Sequence, residues 1–249
     1  MAIFLLHLSE TYKRKYMKKV ALITGGSKGI GLEVARSLLS IGYKVCITGR
    51  SQESLTNAEG DLSAGSDLKT IAVDVRSYSD MVDAVTSVES DWGNIDVVIA
   101  NAGIGHFAPI QELTIDQWND TIDINLTGVF YTVKATMSSL KNTQGYLITI
   151  ASLAGTNFFA RGTAYNASKF GLVGFTQAAM LDLRHEGIKV STIMPGSVST
   201  YFGGRVPSDA EAWKIQPEDI GQMVLDLLAM PPRTLPSKIE VRPTRPPQK

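Results

Sequence analysis

One cysteine and three histidines in 249 residues leave little from which to build a disulfide framework or a metal centre. Cys46 has no internal partner, which fits a reducing compartment and a packing role in the apolar run 44–48. The histidines and Cys46 are not grouped at ligand spacing, so no metal is expected. Net charge is also missing: 24 basic residues balance 24 acidic ones. The chain therefore carries no overall field to draw in nucleic acid or an anionic membrane, and neither is expected as a partner. The apolar stretch 2–8 is far too short to span a bilayer. It precedes the basic cluster Lys13, Arg14, Lys15, Lys18 and Lys19, the reverse of the order in a secretory signal. Residues 1–16 are expected to be a flexible extension, or to lie upstream of a natural start at Met17. A cytoplasmic location is the corresponding expectation.

What is present is a chain with 44% hydrophobic and 19% charged residues, a composition suited to a well-buried core. Short Val- and Ile-rich runs at 20–24, 44–48, 69–73, 96–100, 146–151 and 189–194 read as strands covered on both faces. Helix-period segments fall between them at 30–41, 79–92, 115–140, 164–186 and 217–229. A further strand is expected at 237–242, within a Pro-rich tail over 231–249 expected to wrap the surface in extended form. Strands alternating with helices imply right-handed βαβ units. The predicted fold is a single doubly wound, Rossmann-type α/β domain over residues 17–249. Its sheet should have about seven strands, mostly parallel, with helices on both faces.

The segment Thr24-Gly-Gly-Ser-Lys-Gly-Ile-Gly31 follows the first strand and opens the first helix. Glycines at Gly25, Gly29 and Gly31 permit a tight turn and a close backbone approach to a pyrophosphate, while Ser27, Lys28 and Ile30 sit within the turn. The helix N-terminus supplies free N–H donors and a favourable dipole. The spacing departs from the common G-x-G-x-x-G fingerprint, and a glycine-rich turn without a ligand is the competing reading. The end of the second strand adds a discriminating feature. An NAD site places Asp or Glu about 20 residues after the loop, to hold the ribose 2′-hydroxyl. Here the strand ends Ile47-Thr-Gly-Arg-Ser51, with no carboxylate. Arg50, with Lys28 as a second cation, suits a 2′-phosphate, so NADP(H) is the expected cofactor.

Tyr165 and Lys169 stand at i and i+4 on a predicted helix and share a face. Ser152 ends the fifth strand, at the edge where doubly wound sheets bind ligands. Hydride transfer to a carbonyl needs a proton donor for the developing alkoxide, and a tyrosine can supply it. Bringing a phenol from a pKa of about 10 down by roughly three units takes about 4 kcal/mol, which a neighbouring ammonium could provide. Ser152 can donate a hydrogen bond that polarises the carbonyl.

With these motifs in order, the sequence resembles the short-chain dehydrogenase/reductase family over essentially its whole length after Met17. The family's glycine motif matches Gly25, Gly29 and Gly31, and its Asn-Ala-Gly segment matches Asn101-Ala102-Gly103. The acidic residue on the adenine side matches Asp74, followed by Val75. The Ser-Tyr-Lys set matches Ser152, Tyr165 and Lys169, and the additional asparagine matches Asn125 in Asn125-Leu-Thr-Gly-Val-Phe130. Pro195-Gly196 matches the family's Pro-Gly segment, with Val198 and Thr200 near the nicotinamide carboxamide. The resemblance implies Tyr165 as general acid in reduction and base in oxidation, with Lys169 also binding the nicotinamide ribose. It implies that Asn125 holds a water linking Lys169 to solvent. It also implies a homodimer or homotetramer paired through the helices predicted at 115–140 and 164–186. For Asn125 and Asp74, satisfying a nearby backbone group and capping a loop are competing readings.

The segment after Pro195-Gly196 is shorter than in many relatives, and a tail rich in proline replaces a glycine-rich final strand. Loop residues His106, Phe107, Leu153, Phe158, Phe159, Ser197 and Tyr201 are expected around the substrate, giving a partly apolar, aromatic-lined pocket. The expected reaction is hydride transfer between NADP(H) and a small ketone, aldehyde or 3-oxoacyl compound, or the matching alcohol. An alcohol dehydrogenase working mainly in oxidation is one alternative. A catalytically silent NADP(H)-binding sensor is another, and the complete Ser152, Tyr165, Lys169 and Asn125 set weighs against it. A sugar-nucleotide epimerase is disfavoured because its substantial C-terminal substrate domain has no counterpart.

Overall fold

The computed structural model describes residues 19–245, so the expectation for residues 1–16 lies outside it. Seven strands form one sheet: β1 Val20–Thr24, β2 Lys44–Gly49, β3 Leu68–Ala72, β4 Val97–Ala100, β5 Tyr146–Ile150, β6 Lys189–Pro195 and β7 Lys238–Val241. Their order is β3-β2-β1-β4-β5-β6-β7, and every pairing is parallel. The helices between them are α1 Gly29–Ser40, α2 Gln52–Leu62, α3 Tyr78–Trp92, α4 Ile115–Ile122, α5 Gly128–Thr143, α6 Thr163–Leu183 and α7 Pro217–Ala229.

β1, β4 and β5 are buried at every position, as the double covering of a parallel sheet demands. Alternate strand residues feed two cores. Ala21, Ile23, Val45 and Ile47 pack with Val34, Ala35 and Leu38 of α1 and Ile220 and Val224 of α7. Leu22, Cys46, Val98 and Leu147 point the other way, onto Met81 and Val85 of α3, Val133 of α5 and Leu172 of α6. Each fully buried Leu or Ile contributes about 1.5–3 kcal/mol. Cys46 belongs to the packing: burial pushes its thiol up to about 12, and it is inert.

Two expectations need correction. The sequence pattern does not predict helix α2, because the segment is mostly polar and buries only Leu55 and Ala58. Its start is nevertheless readable in Ser51, whose hydroxyl accepts from the Ser54 N–H. The continuous helix expected over 115–140 is interrupted by a π-helical segment, Asp123–Thr127. Such a turn of wider i→i+5 bonding is a common accompaniment of functional sites, and here it carries Asn125.

The sheet order reverses at β1. From there the chain moves outward to β2 and β3, then returns to β4 on the opposite side of β1. Loops leaving the C-terminal ends of β1 and β4 therefore diverge and leave a crevice between them.

Candidate active site

A cleft of about 1050 Å³ lies at that divergence. Its floor is the loop Gly25–Gly31, held in place from β4. The Asn101 side-chain amide donates to the carbonyls of Thr24 and Gly25 at 3.0 and 2.9 Å. In return the Thr24 hydroxyl accepts from the backbone N–H groups of Asn101 and Ala102, at 3.1 and 3.2 Å. Gly25 has φ +66°, and a Cβ there would sit 2.8 Å from Ala102 Cα, so only glycine fits. Gly31 is packed behind the loop, where a Cβ would lie 2.4 Å from the Gly25 carbonyl oxygen. No side chain caps the N-terminus of α1 at Lys28, and Gly29 and Ile30 of its first turn face the cleft. A pyrophosphate fits this cradle, with backbone donors and a helix dipole aimed at it.

Thr48, Gly49, Arg50, Ser51 and Ser54 line the cleft where β2 ends, and Ser27 and Lys28 flank them. Neither Arg50 nor Lys28 has an ion-pair partner among the described residues. Lys28 Nζ stands 6.0 Å from the centre of the Tyr201 ring. Asp74 behaves otherwise. Its carboxylate is gripped by the Arg76 guanidinium at 2.6 Å and accepts from the Arg76 N–H at 3.0 Å. These bonds to Arg76 hold its carboxyl below the usual range. Val73 and Val75 line the cleft, while the Asp74 side chain is engaged by Arg76.

At the other end of the cleft β5, α6 and the Asn101-Ala102-Gly103 turn bring together Ser152, Tyr165 and Lys169. Lys169 is buried, and its Nζ donates to the Ile150 carbonyl at 3.0 Å. Burial lowers its pKa to about 8. The ammonium lies 5.8 Å from the centre of the Tyr165 ring. The sequence predicts a phenol lowered by this neighbour, but burial dominates and raises the Tyr165 pKa, with the Ser152 hydrogen bond pulling the other way. Ser152 also accepts from the Ala154 N–H at 3.1 Å, which fixes its hydroxyl at the start of the loop.

Asn125 is fully buried and does not line the cleft. Its amide donates to the Ile104 carbonyl at 2.9 Å and to Ser168 Oγ at 3.0 Å, while Oδ1 accepts from the Ile104 N–H at 2.8 Å. The side chain thus secures the segment after β4 against α6. Pro195, Gly196, Ser197, Val198, Thr200, Tyr201 and His106 all line the cleft.

The predicted pocket residues divide into two groups. Leu153, Phe158 and Phe159 line an adjoining cavity of about 570 Å³, together with Trp213, Arg242 and Pro243. Phe107 lines neither space and instead packs edge-on against Tyr165, with ring centres 5.4 Å apart. Sequence reasoning missed Phe202, whose ring stands 5.6 Å from that of Tyr165, and Asn166, beside Tyr165 on α6. The aromatic character of Phe202 was visible, but nothing in its spacing marked which way its loop would turn. No group of three or more His, Cys, Asp or Glu residues is placed to hold a metal among the described residues. No described helix is long and apolar enough to cross a membrane.

Comparison with known proteins agrees with this geometry. A short chain dehydrogenase family model matches residues 19–211. An uncharacterized oxidoreductase of Staphylococcus aureus (strain MW2) is 34% identical over 227 residues, covering 90% of this chain and 97% of its own. An alcohol dehydrogenase from the archaeon Thermococcus sibiricus, solved with 5-hydroxy-NADP, superposes with a TM-score of 0.86 at 30% identity. That match covers 93% of this chain and 99% of the archaeal one. A metagenomic short-chain oxidoreductase in complex with NADP gives a TM-score of 0.80 at 33% identity, over 92% and 99% of the two chains.

Proposed function

The chain belongs to the short-chain dehydrogenase family of oxidoreductases, and from that premise we propose that it uses NADP(H) to interconvert a carbonyl compound and its alcohol, with Tyr165 as the proton-transfer residue. The observation that carries this reading is the convergence of Ser152, Tyr165 and Lys169 at one end of a cleft whose other end presents Arg50 and Lys28. NADP-bound proteins of similar fold support the choice of cofactor.

The glycine loop and the α1 N-terminus would hold the pyrophosphate, Arg50 and Lys28 the 2′-phosphate, and Lys169 the nicotinamide ribose. When bound, the reduced nicotinamide supplies a hydride to the carbonyl carbon. Ser152 donates a hydrogen bond to the carbonyl oxygen and orients it toward the phenol. Tyr165 passes its proton to that oxygen, completing the alcohol, and a phenol kept protonated by burial suits this donor role. Asn125 acts through position, since its bonds to Ile104 and Ser168 fix the turn that faces Lys169. Exposed Trp118, Phe130 and Phe170 on α4, α5 and α6 support a homodimer or homotetramer. A cytoplasmic enzyme with a small-molecule substrate, and no nucleic-acid or membrane partner, completes the reading.

The test is NADPH oxidation, followed at 340 nm on the order of minutes, against a panel of ketones, aldehydes and 3-oxoacyl compounds, with NADH in parallel. Turnover with NADPH that disappears in Tyr165→Phe is expected. Equal turnover by that variant, or a preference for NADH, would sink the mechanism or the cofactor assignment respectively.

A further inference from the structure

We propose that the cavity beside Tyr165 is a substrate subsite for a neutral, flat aromatic group attached to the reacting carbonyl; this rests on the carbonyl-reductase reading above. The cavity shares Ser152, Tyr165, Gly196 and Ser197 with the large cleft, so it opens onto the reacting end and nowhere near the phosphate end. Its remaining walls come from the loop after β5, from the segment between β6 and α7, and from the end of β7. The last two are segments in which this chain departs from its family's pattern.

Aromatic side chains are prominent in these walls. Phe158, Phe159 and Trp213 contribute from two different loops, and Leu153 adds an aliphatic side. The Phe159 ring lies 6.5 Å from that of Tyr165 and 6.0 Å from that of Phe107, both tilted, which are distances at which aromatic rings attract one another. At about 570 Å³ the space lies within the range of small-molecule sites and admits one or two fused rings.

The wall is set in advance by Asn166. Its side-chain amide donates to the carbonyls of Ala154 and Asn157, both at 2.8 Å, and its Oδ1 accepts from the Phe159 N–H at 3.4 Å. Asn166 is only 8% exposed, so losing these bonds would leave buried polar groups unpaired. A fixed loop lowers the ordering cost of binding a rigid planar group.

No unpaired charge in the cavity favours an anion. Among the described residues the one charged group lining the cavity is Arg242, and its guanidinium is held by Glu240 at 2.9 Å. A substrate carboxylate would have to compete with Glu240 for that cation and lose water against aromatic walls.

Acetophenone and 4-oxopentanoate serve as probes of the intact protein with NADPH. The subsite predicts kcat/KM at least about 10-fold higher for acetophenone. Asn166→Ala should raise its KM by about 10-fold with the NADPH Kd unchanged. Acetophenone should also quench tryptophan fluorescence in the wild type and not in Trp213→Phe, because Trp92 and Trp118 stand on α3 and α4, outside the cavity. Preference for 4-oxopentanoate, or quenching retained by Trp213→Phe, overturns the subsite and leaves the reductase reading intact. Quenching that depends on Trp213, with no carbonyl compound reduced, upholds the subsite and overturns the reductase reading.

Discussion

The ammonium of Lys169 donates to the carbonyl oxygen of Ile150 at 3.0 Å, tying the helix that carries Tyr165 to the strand that ends just before Ser152. The bond is made in a costly place. Burial lowers the Lys169 pKa from 10.5 to about 8, so the folded protein still holds an ammonium there at neutral pH, at a cost in stability. At 1.36 kcal/mol per unit this amounts to about 3 kcal/mol. Between about pH 8 and 10.5 the unfolded chain binds the proton that the folded chain has released, so stability from this group rises with pH across that window. Lys169→Met should therefore be inactive yet more stable at pH 7, by about 1–3 kcal/mol after allowing for the hydrogen bond lost to Ile150. Urea denaturation at pH 7 and pH 10 checks it: the gap between variant and wild type should shrink at the higher pH.

Tyr165→Phe removes one oxygen from a side chain packed among Phe107, Phe159, Phe202 and Lys169. The ring contacts survive, so the fold and the cofactor cleft should be preserved. Loss of a positioned general acid costs about 10²–10⁴ in rate. Turnover should fall by at least about 10²-fold, with NADPH affinity measured by fluorescence titration within about 2-fold of wild type.

Arg50 stands at the end of β2 with no ion-pair partner among the described residues, facing the cleft. A charge-assisted bond to a phosphate contributes about 1.5–3 kcal/mol. Arg50→Ala should weaken NADPH binding by about 10- to 100-fold and leave NADH binding nearly unchanged. Titration of both cofactors decides it, and equal losses for the two would place Arg50 away from the 2′-phosphate.

The sheet was legible because a strand buried on both faces must be apolar at nearly every position, as 20–24 and 146–150 are. The glycine loop was legible for a related reason: Gly25 and Gly31 occupy places where a Cβ would meet backbone atoms. Helix α2 was not, because it buries little, and the π segment was not, because five residues are too few to establish a period of their own. The side-chain partners of Asp74 and Asn125 were distant or ambiguous in sequence. Arg76 had to reach back to Asp74, and Ile104 and Ser168 had to meet Asn125 across the fold. Asn166 was hidden beside a more conspicuous neighbour, and its three loop contacts exist only once α6 is placed.

Two glycines on helices should respond oppositely to the same methyl group. Gly31 lies in α1, where an added Cβ would stand 2.4 Å from the Gly25 carbonyl oxygen and 2.6 Å from Asn101 Nδ2. Neither atom is the free end of a flexible side chain, because Asn101 is itself bonded to Thr24 and Gly25. Gly31→Ala must therefore push the loop off its brace, at a cost of about 1–3 kcal/mol for overpacking. Gly60 lies in α2 with nothing within 4 Å of an added Cβ. There the substitution meets no atom and reduces the entropy of the unfolded chain, so Gly60→Ala should stabilise the fold by about 0.5–1 kcal/mol. Thermal melts with and without NADPH separate the two effects. Gly60→Ala should raise the melting temperature by the same amount in both conditions. Gly31→Ala should lower it and also shrink the increment that NADPH provides, since the displaced loop is the one proposed to bind the pyrophosphate. A Gly31→Ala protein that melts lower but keeps the full increment would show that the glycine loop serves packing alone.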